Sequence, residues 1–92
     1  MSDRGLEALA GLTTLKYIDL SDTQATDAGM KSLAKIKSLE IVQLNRTKVT
    51  DAGLEPLAGL ENLRTLCLPR DTVTDAGAAA FRKRRPTVTV MR

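Results

Sequence analysis

Apolar residues return along this chain in two alternating rhythms. In Ile18-x-Leu20, Val42-x-Leu44 and Leu66-x-Leu68 every second residue is apolar, the period of a strand with one buried face. Further along each time, Met30 and Leu33, then Leu54 and Leu57, stand at i and i+3, the spacing of a short helix with one buried stripe. The pair of rhythms recurs every 24 residues: Thr26-Asp27-Ala28-Gly29, Thr50-Asp51-Ala52-Gly53 and Thr74-Asp75-Ala76-Gly77 are the same four residues at that interval. In register, Leu12, Leu15, Ile18, Leu20, Ala25, Met30 and Leu33 meet Ile36, Leu39, Val42, Leu44, Val49, Leu54 and Leu57. Leu60, Leu63, Leu66, Leu68, Val73, Ala78 and Phe81 follow in the third unit. A period of this length marks a solenoid. Each unit is a strand followed by a helix, and neighbours complete one another's core.

The outer units are incomplete. Asp3-Arg4-Gly5-Leu6-Glu7-Ala8-Leu9 aligns with the stretch from Asp51 to Leu57, and Thr87-Val88-Thr89-Val90 reads as a last strand. In that reading Val88 and Val90 point inward and the strand runs two residues short of the strict period. The expected organisation is one domain over 1–92: a partial unit at 3–11, full units at 12–35, 36–59 and 60–83, and a capping strand at 84–92. Arg82-Lys83-Arg84-Arg85 brings charge into a segment that is apolar in the other units, with Arg84 where Ile36 and Leu60 stand. The run reads as a polar cap. Leu6, Leu9 and Leu12 keep the interior pattern, so the N-terminal end reads as an open solenoid face that invites partners. Self-association through that end, or membership of a longer array, follows as an alternative.

The repeated tetrapeptide reads as a helix start. Its Thr or Asp accepts from the free N–H groups of the first turn, and Asp27, Asp51 and Asp75 lie at the favourable end of the helix dipole. Those carboxylates fill the place where an external anion would bind. Gly29, Gly53 and Gly77 suggest close approach of backbone from the neighbouring coil. Thr23, Thr47 and Asp71 form a second polar column, expected inside the coil and tying successive turns together.

The run Leu15-x-x-Ile18-x-Leu20-x-x-Thr23 resembles the leucine-rich repeat template. The following Asp27-x-Gly29-Met30-x-x-Leu33 is similar to the ribonuclease-inhibitor-like subclass, and Val-Thr-Asp-Ala-Gly-Leu at 49–54 resembles the bacterial 24-residue version. Thr and Asp stand in the turn column where the family usually carries Asn. The resemblance implies an α/β fold: a right-handed leucine-rich repeat solenoid, with a parallel β-sheet on the concave face and short helices on the convex face. It also implies recognition of a protein or peptide partner on the strand-lined face.

The outward strand positions make candidate columns for that partner. Tyr17, Ile41, Thr65 and Thr87 form one, Asp19, Gln43, Cys67 and Thr89 another, and Lys16, Glu40 and Arg64 a flanking third. Tyr17 beside Ile41 is the natural anchor, an aromatic next to an aliphatic. With strands ~4.8 Å apart, four of them present a patch only ~15 Å across. Just past the strands, Asp22, Arg46, Arg70 and Arg92 form a column whose arginines suit phosphate or carboxylate. Its bland reading is a solvated rim of charge.

Composition narrows the chemistry. A net charge of +3 and just two aromatic residues, Tyr17 and Phe81, with no Trp, fall short of a nucleic-acid signature. The arginine column and the basic run leave electrostatic nucleic-acid binding as a weaker third reading. With no histidine in the sequence, Cys67 has no base of that kind to activate it and reads as an inert surface thiol. No catalytic residue, cofactor site or metal cluster is expected, and no membrane association. The absence of a signal-peptide pattern points to a cytoplasmic protein.

Overall fold

The computed structural model describes residues 5, 6, 8, 11 and 14–91. Its elements are β1 (Tyr17–Asp19), α1 (Asp27–Leu33), β2 (Ile41–Gln43), a 3-10 turn (Asp51–Gly53) running into α2 (Leu54–Leu57), β3 (Thr65–Cys67), α3 (Asp75–Arg84) and β4 (Thr89–Met91). Gly5, Leu6 and Ala8 ahead of β1 are also helical. The four strands make one parallel sheet in the order β1-β2-β3-β4. Asp3 and Leu9, on which the partial first unit was read, and Leu12, which opens the first full unit, lie outside the described residues, as does Arg92.

Each strand pairs with its neighbour 24 residues on. Ile18 lies beside Val42, Val42 beside Leu66, and Leu66 beside Val90. The last strand is therefore in strict period, against the expectation of a two-residue slip. Thr89 sits beside Thr65 and Met91 beside Cys67, so the outward columns end on Thr89 and Met91 instead of Thr87 and Thr89. The ladder sets this register: Thr89 N–H donates to Arg64 C=O at 2.7 Å and Leu68 N–H to Met91 C=O at 2.7 Å. A change does occur just before the strand. Thr87, in the column of buried Leu39 and Leu63, is exposed, and Val88 is buried instead.

The core runs as a continuous column between sheet and helices. Met30, Leu33, Ile36, Leu39, Val42, Leu44, Val49, Leu57, Leu60 and Leu66 are all fully buried. Leu6 joins the same cluster from the N-terminal helical segment. Ala78 takes the place of Met30 and Leu54, and Phe81 that of Leu33 and Leu57; both are buried. The convex elements differ in length, and Pro56 explains the shortest. In an unbroken α-helix from Asp51 its N–H would bond the Ala52 carbonyl, and proline has none. The segment opens instead as a 3-10 turn and closes as a single α turn.

The tetrapeptide joins consecutive coils. Asp27 Oδ1 accepts from Thr50 N–H at 2.7 Å, and its Oδ2 from the Thr50 hydroxyl at 2.5 Å. Asp51 does the same to Thr74, at 2.8 and 2.6 Å. The carboxylate thus reaches forward to the next helix start, a correction to its expected role on its own helix. Thr26 and Thr74 cap their own helices, accepting from Ala28 N–H and Gly77 N–H. Thr50 makes no such cap bond. The glycines give room to this clasp. A Cβ on Gly53 would collide with the Asp27 carboxylate and lie 2.8 Å from Val49 Cγ1, and one on Gly77 would collide with the Asp51 carboxylate. The close neighbour is a side chain, not the backbone the sequence suggested.

Candidate functional site

The open face of the sheet carries the predicted columns, and its two flanks are recessed. Tyr17 is exposed and Ile41, Thr65 and Gln43 are half-buried. Gln43 Nε2 donates to the Tyr17 hydroxyl at 2.9 Å, so β1 and β2 are tied across this face. The anchor pair therefore comes as a small fixed surface, with the Tyr17 ring exposed and its hydroxyl already bonded.

Cys67 departs from expectation. It lies on the open-face column between Gln43 and Met91, yet it is buried. It also lies outside the apolar core cluster. A small side chain between two longer ones is covered without facing inward. Burial, with a smaller contribution from Asp19, pushes the thiol pKa up, which disfavours the nucleophilic thiolate. The surface-thiol reading is corrected to a covered one.

The flanking column is internally matched in charge. Glu40 lies 3.7 Å from Lys16 and 3.8 Å from Arg64, a plus-minus-plus row. Such exposed pairs contribute little to stability; here they fix the sign of charge presented along one edge of the face. Beside this row is a polar recess of about 560 Å³ lined by Glu40, Asn62, Arg64, Thr65, Thr87 and Thr89.

The opposite flank holds the arginine column. Arg46 binds Asp22 through two parallel contacts, Nε to Oδ1 at 2.5 Å and Nη2 to Oδ2 at 2.8 Å. Its guanidinium thus already holds a carboxylate from the preceding coil. Asp22 and Arg46 both adopt left-handed backbone, with φ of 62° and 57°, a conformation costly for a long side chain. Arg70 lines a second recess of about 480 Å³ with Asn45, Arg46, Thr47, Leu68, Pro69 and Asp71.

The Arg46 hydrogen bond holds the Asp22 carboxyl below its ordinary value. Asp19 is also lowered, chiefly by the Ser21 N–H that donates to its Oδ1 at 2.9 Å. A carboxyl depressed on folding adds stability above its unfolded pKa and loses it as pH falls through the folded value. Carboxyl NMR titration is expected to place Asp22 below an ordinary Asp, and Arg46→Ala to move it upward. An unchanged Asp22 titration in that variant would contradict the paired geometry.

The inner polar column behaves locally. The Thr23 hydroxyl donates to Leu20 C=O at 2.6 Å and the Thr47 hydroxyl to Leu44 C=O at 2.8 Å. Both bonds close the turn of their own coil and do not link successive coils. Asp71 is exposed, so the third member of the column lies outside the coil; a carboxylate cannot donate to the carbonyl that the Thr hydroxyls use.

Most of the basic run is engaged within the fold. Arg85 Nη1 donates to Ala58 C=O at 2.8 Å and Leu60 C=O at 2.7 Å, and Nη2 to Glu61 C=O at 3.2 Å. Arg84 pairs with Glu55 at 3.0 Å, and Arg82 donates to Val90 C=O at 3.1 Å. The Arg85 staple was missed in the sequence; a charged residue ending the last helix was its only signal.

Among the described residues no cluster of three or more His, Cys, Asp or Glu is arranged to hold a metal ion. No helix among them is long and apolar enough to cross a membrane. No curated protein matches the chain. A family model described as Leucine Rich repeat matches residues 11–34 and 35–58, two adjacent 24-residue units covering more than half of the sequence. Repeats of this type are typically interaction modules without catalysis of their own. The parallel sheet, the period of its ladder and the matched units agree: the chain belongs to the leucine-rich repeat family.

Proposed function

We propose that this chain is a non-catalytic module that binds a protein or peptide through the open face of its sheet. The observation that supports the reading is the arrangement of that face. An exposed Tyr17 and a half-buried Ile41 stand side by side on paired strands. They lie between the Lys16–Glu40–Arg64 charge row and the Asp22–Arg46 pair. An apolar anchor bordered by fixed charges of both signs suits a partner segment with one hydrophobic side chain and charged neighbours. Lys16, Tyr17, Asp19, Glu40, Ile41, Gln43, Arg46, Arg64, Thr65 and Arg70 are the proposed contact residues. Cys67 contributes shape only. The proposed setting is the cytoplasm.

The test is capture of a partner by the immobilised chain. Tyr17→Ala with Ile41→Ala is expected to lower retention at least about tenfold, the range for losing two hot-spot side chains. Unchanged retention by a folded double variant would remove the open face from the reading. Nucleic-acid binding would show instead as retention of DNA or RNA that falls steeply with salt.

A further inference from the structure

The column just past the strands contains its own example of a bound carboxylate. Between the first two coils, Asp22 lies on the side edge of the Arg46 guanidinium, with Oδ1 on Nε and Oδ2 on Nη2. One period on, the column steps from Arg46 to Arg70, and both line the recess of about 480 Å³. A position that a carboxylate occupies in one coil is thus taken by a second arginine in the next. A guanidinium carries five N–H donors. Asp22 takes two of those on Arg46; among the described residues the end edge, through Nη1, has no acceptor.

The backbone adds a donor at the same place. Asp22 N–H donates to Asn45 C=O of the following coil at 2.9 Å. The same bond one period on would run from Arg46 N–H to Pro69 C=O. Among the described residues it is not made; Val73 N–H, from Pro69's own coil, donates to that carbonyl at 3.1 Å instead. Arg46 shares the left-handed φ of Asp22, 57° against 62°, so its N–H points likewise toward the following coil, where the recess lies. Arg70 is not left-handed, and the turn after β3 is built differently.

The remaining walls decide what fits. Leu68 and Pro69 are buried and floor the recess. That apolar surface suits a carboxylate carried on methylenes better than a hydrated inorganic ion. Asp71 lines the recess too, and its charge opposes a ligand with more than one negative charge. The recess also adjoins the open face. Asn45 follows Ile41 by four residues, ~13 Å of extended chain. A partner segment lying along the strands covers that span in four residues, and its first and fifth side chains share a face.

We propose, on the basis of the open-face function above, that Arg46 and Arg70 bind an aspartate or glutamate side chain of the partner segment. That side chain stands four residues from the apolar one that meets Tyr17 and Ile41. Its carboxylate accepts from the end edge of Arg46, from Arg46 N–H and from Arg70.

NMR titration of the isotope-labelled chain with two capped peptides tests this. One carries leucine and glutamate four residues apart, with serine and threonine between; the other has glutamine for glutamate. The glutamate peptide is expected to shift the Arg46 amide and the Arg46 and Arg70 Nε–H resonances saturably. The glutamine peptide is expected to bind at least about tenfold more weakly, the range for losing charge-assisted hydrogen bonds. Arg70→Gln should weaken the glutamate peptide to the level of the glutamine one. Asp71→Asn, which touches neither arginine, should strengthen it. Equal binding of the two peptides overturns the proposal, as does a folded Arg70→Gln or Asp71→Asn without effect. Inorganic phosphate that binds as tightly as the glutamate peptide makes the recess a free-anion site and overturns it too. So does a glutamate peptide that shifts none of these resonances. In each of these cases, a captured partner that is still lost on Tyr17→Ala with Ile41→Ala leaves the open face standing and removes the recess alone.

Discussion

Gly77→Ala is expected to destabilise the fold by about 1–3 kcal/mol, the usual cost of forcing atoms into filled space. The same substitution at Gly59 should change stability by no more than about 0.5 kcal/mol, as at an ordinary surface site. The contrast rests on what a Cβ would meet. At Gly59 the nearest atom is Pro56 C=O at 3.5 Å, an ordinary contact, whereas at Gly77 it is the Asp51 carboxylate. That carboxylate cannot withdraw freely, because Thr74 donates to it twice. Asp51→Ala alone should cost roughly 1.5–3 kcal/mol, the range for hydrogen bonds to a charged group. The two changes combined should cost clearly less than their sum, because removing the carboxylate makes room for the methyl. Alanine then gains its helix advantage of about 1 kcal/mol over glycine. Equilibrium urea unfolding of the four proteins in this cycle gives the coupling. Strict additivity would mean that the glycine is kept for some reason other than the clasp.

Arg85→Ala should lower stability by about 2–4 kcal/mol, because it removes donors from three carbonyls at one stroke. Those carbonyls, Ala58, Leu60 and Glu61, belong to the segment that follows α2. The end of a helix leaves acceptors that need outside partners, and a planar guanidinium serves several at once. Arg85→Lys should recover less than half of the loss, since an ammonium on a flexible stem cannot reproduce the fork. Arg82→Ala, which removes a single bond to Val90 C=O, should cost about 1 kcal/mol. Urea midpoints at equal slope measure all three. Arg85→Ala no worse than Arg82→Ala would reduce the staple to one more exposed charge.

The strands and the core were legible because two different periods mark them and both recur. The register of β4 was not. Thr87-Val88-Thr89-Val90 alternates, and a shift of two residues leaves the same side chains facing inward. Hydrophobicity cannot separate those two registers; the hydrogen bond from Thr89 to Arg64 does. The role of Asp27 and Asp51 was hidden for a related reason. In a perfect repeat, a carboxylate serving its own helix and one serving the next give the same letters. Cys67 shows a different limit: alternation assigns a residue to a face but does not say how far its neighbours cover it. The Asp22–Arg46 pair was visible as a column, but the change of sign at its first step was the informative part. A row that begins with a carboxylate starts by neutralising its own arginine.

The forward reach of each carboxylate has a consequence for how such a chain can change length. The clasp joins residues 23 apart while the sheet joins residues 24 apart, and both links cross the same loop. One residue inserted into that loop must be extruded from it, or one of the two links is lost. Duplication of a whole unit preserves both. Unequal exchange between units is thus the tolerated route to a larger protein, and small insertions or deletions are the ones selection removes.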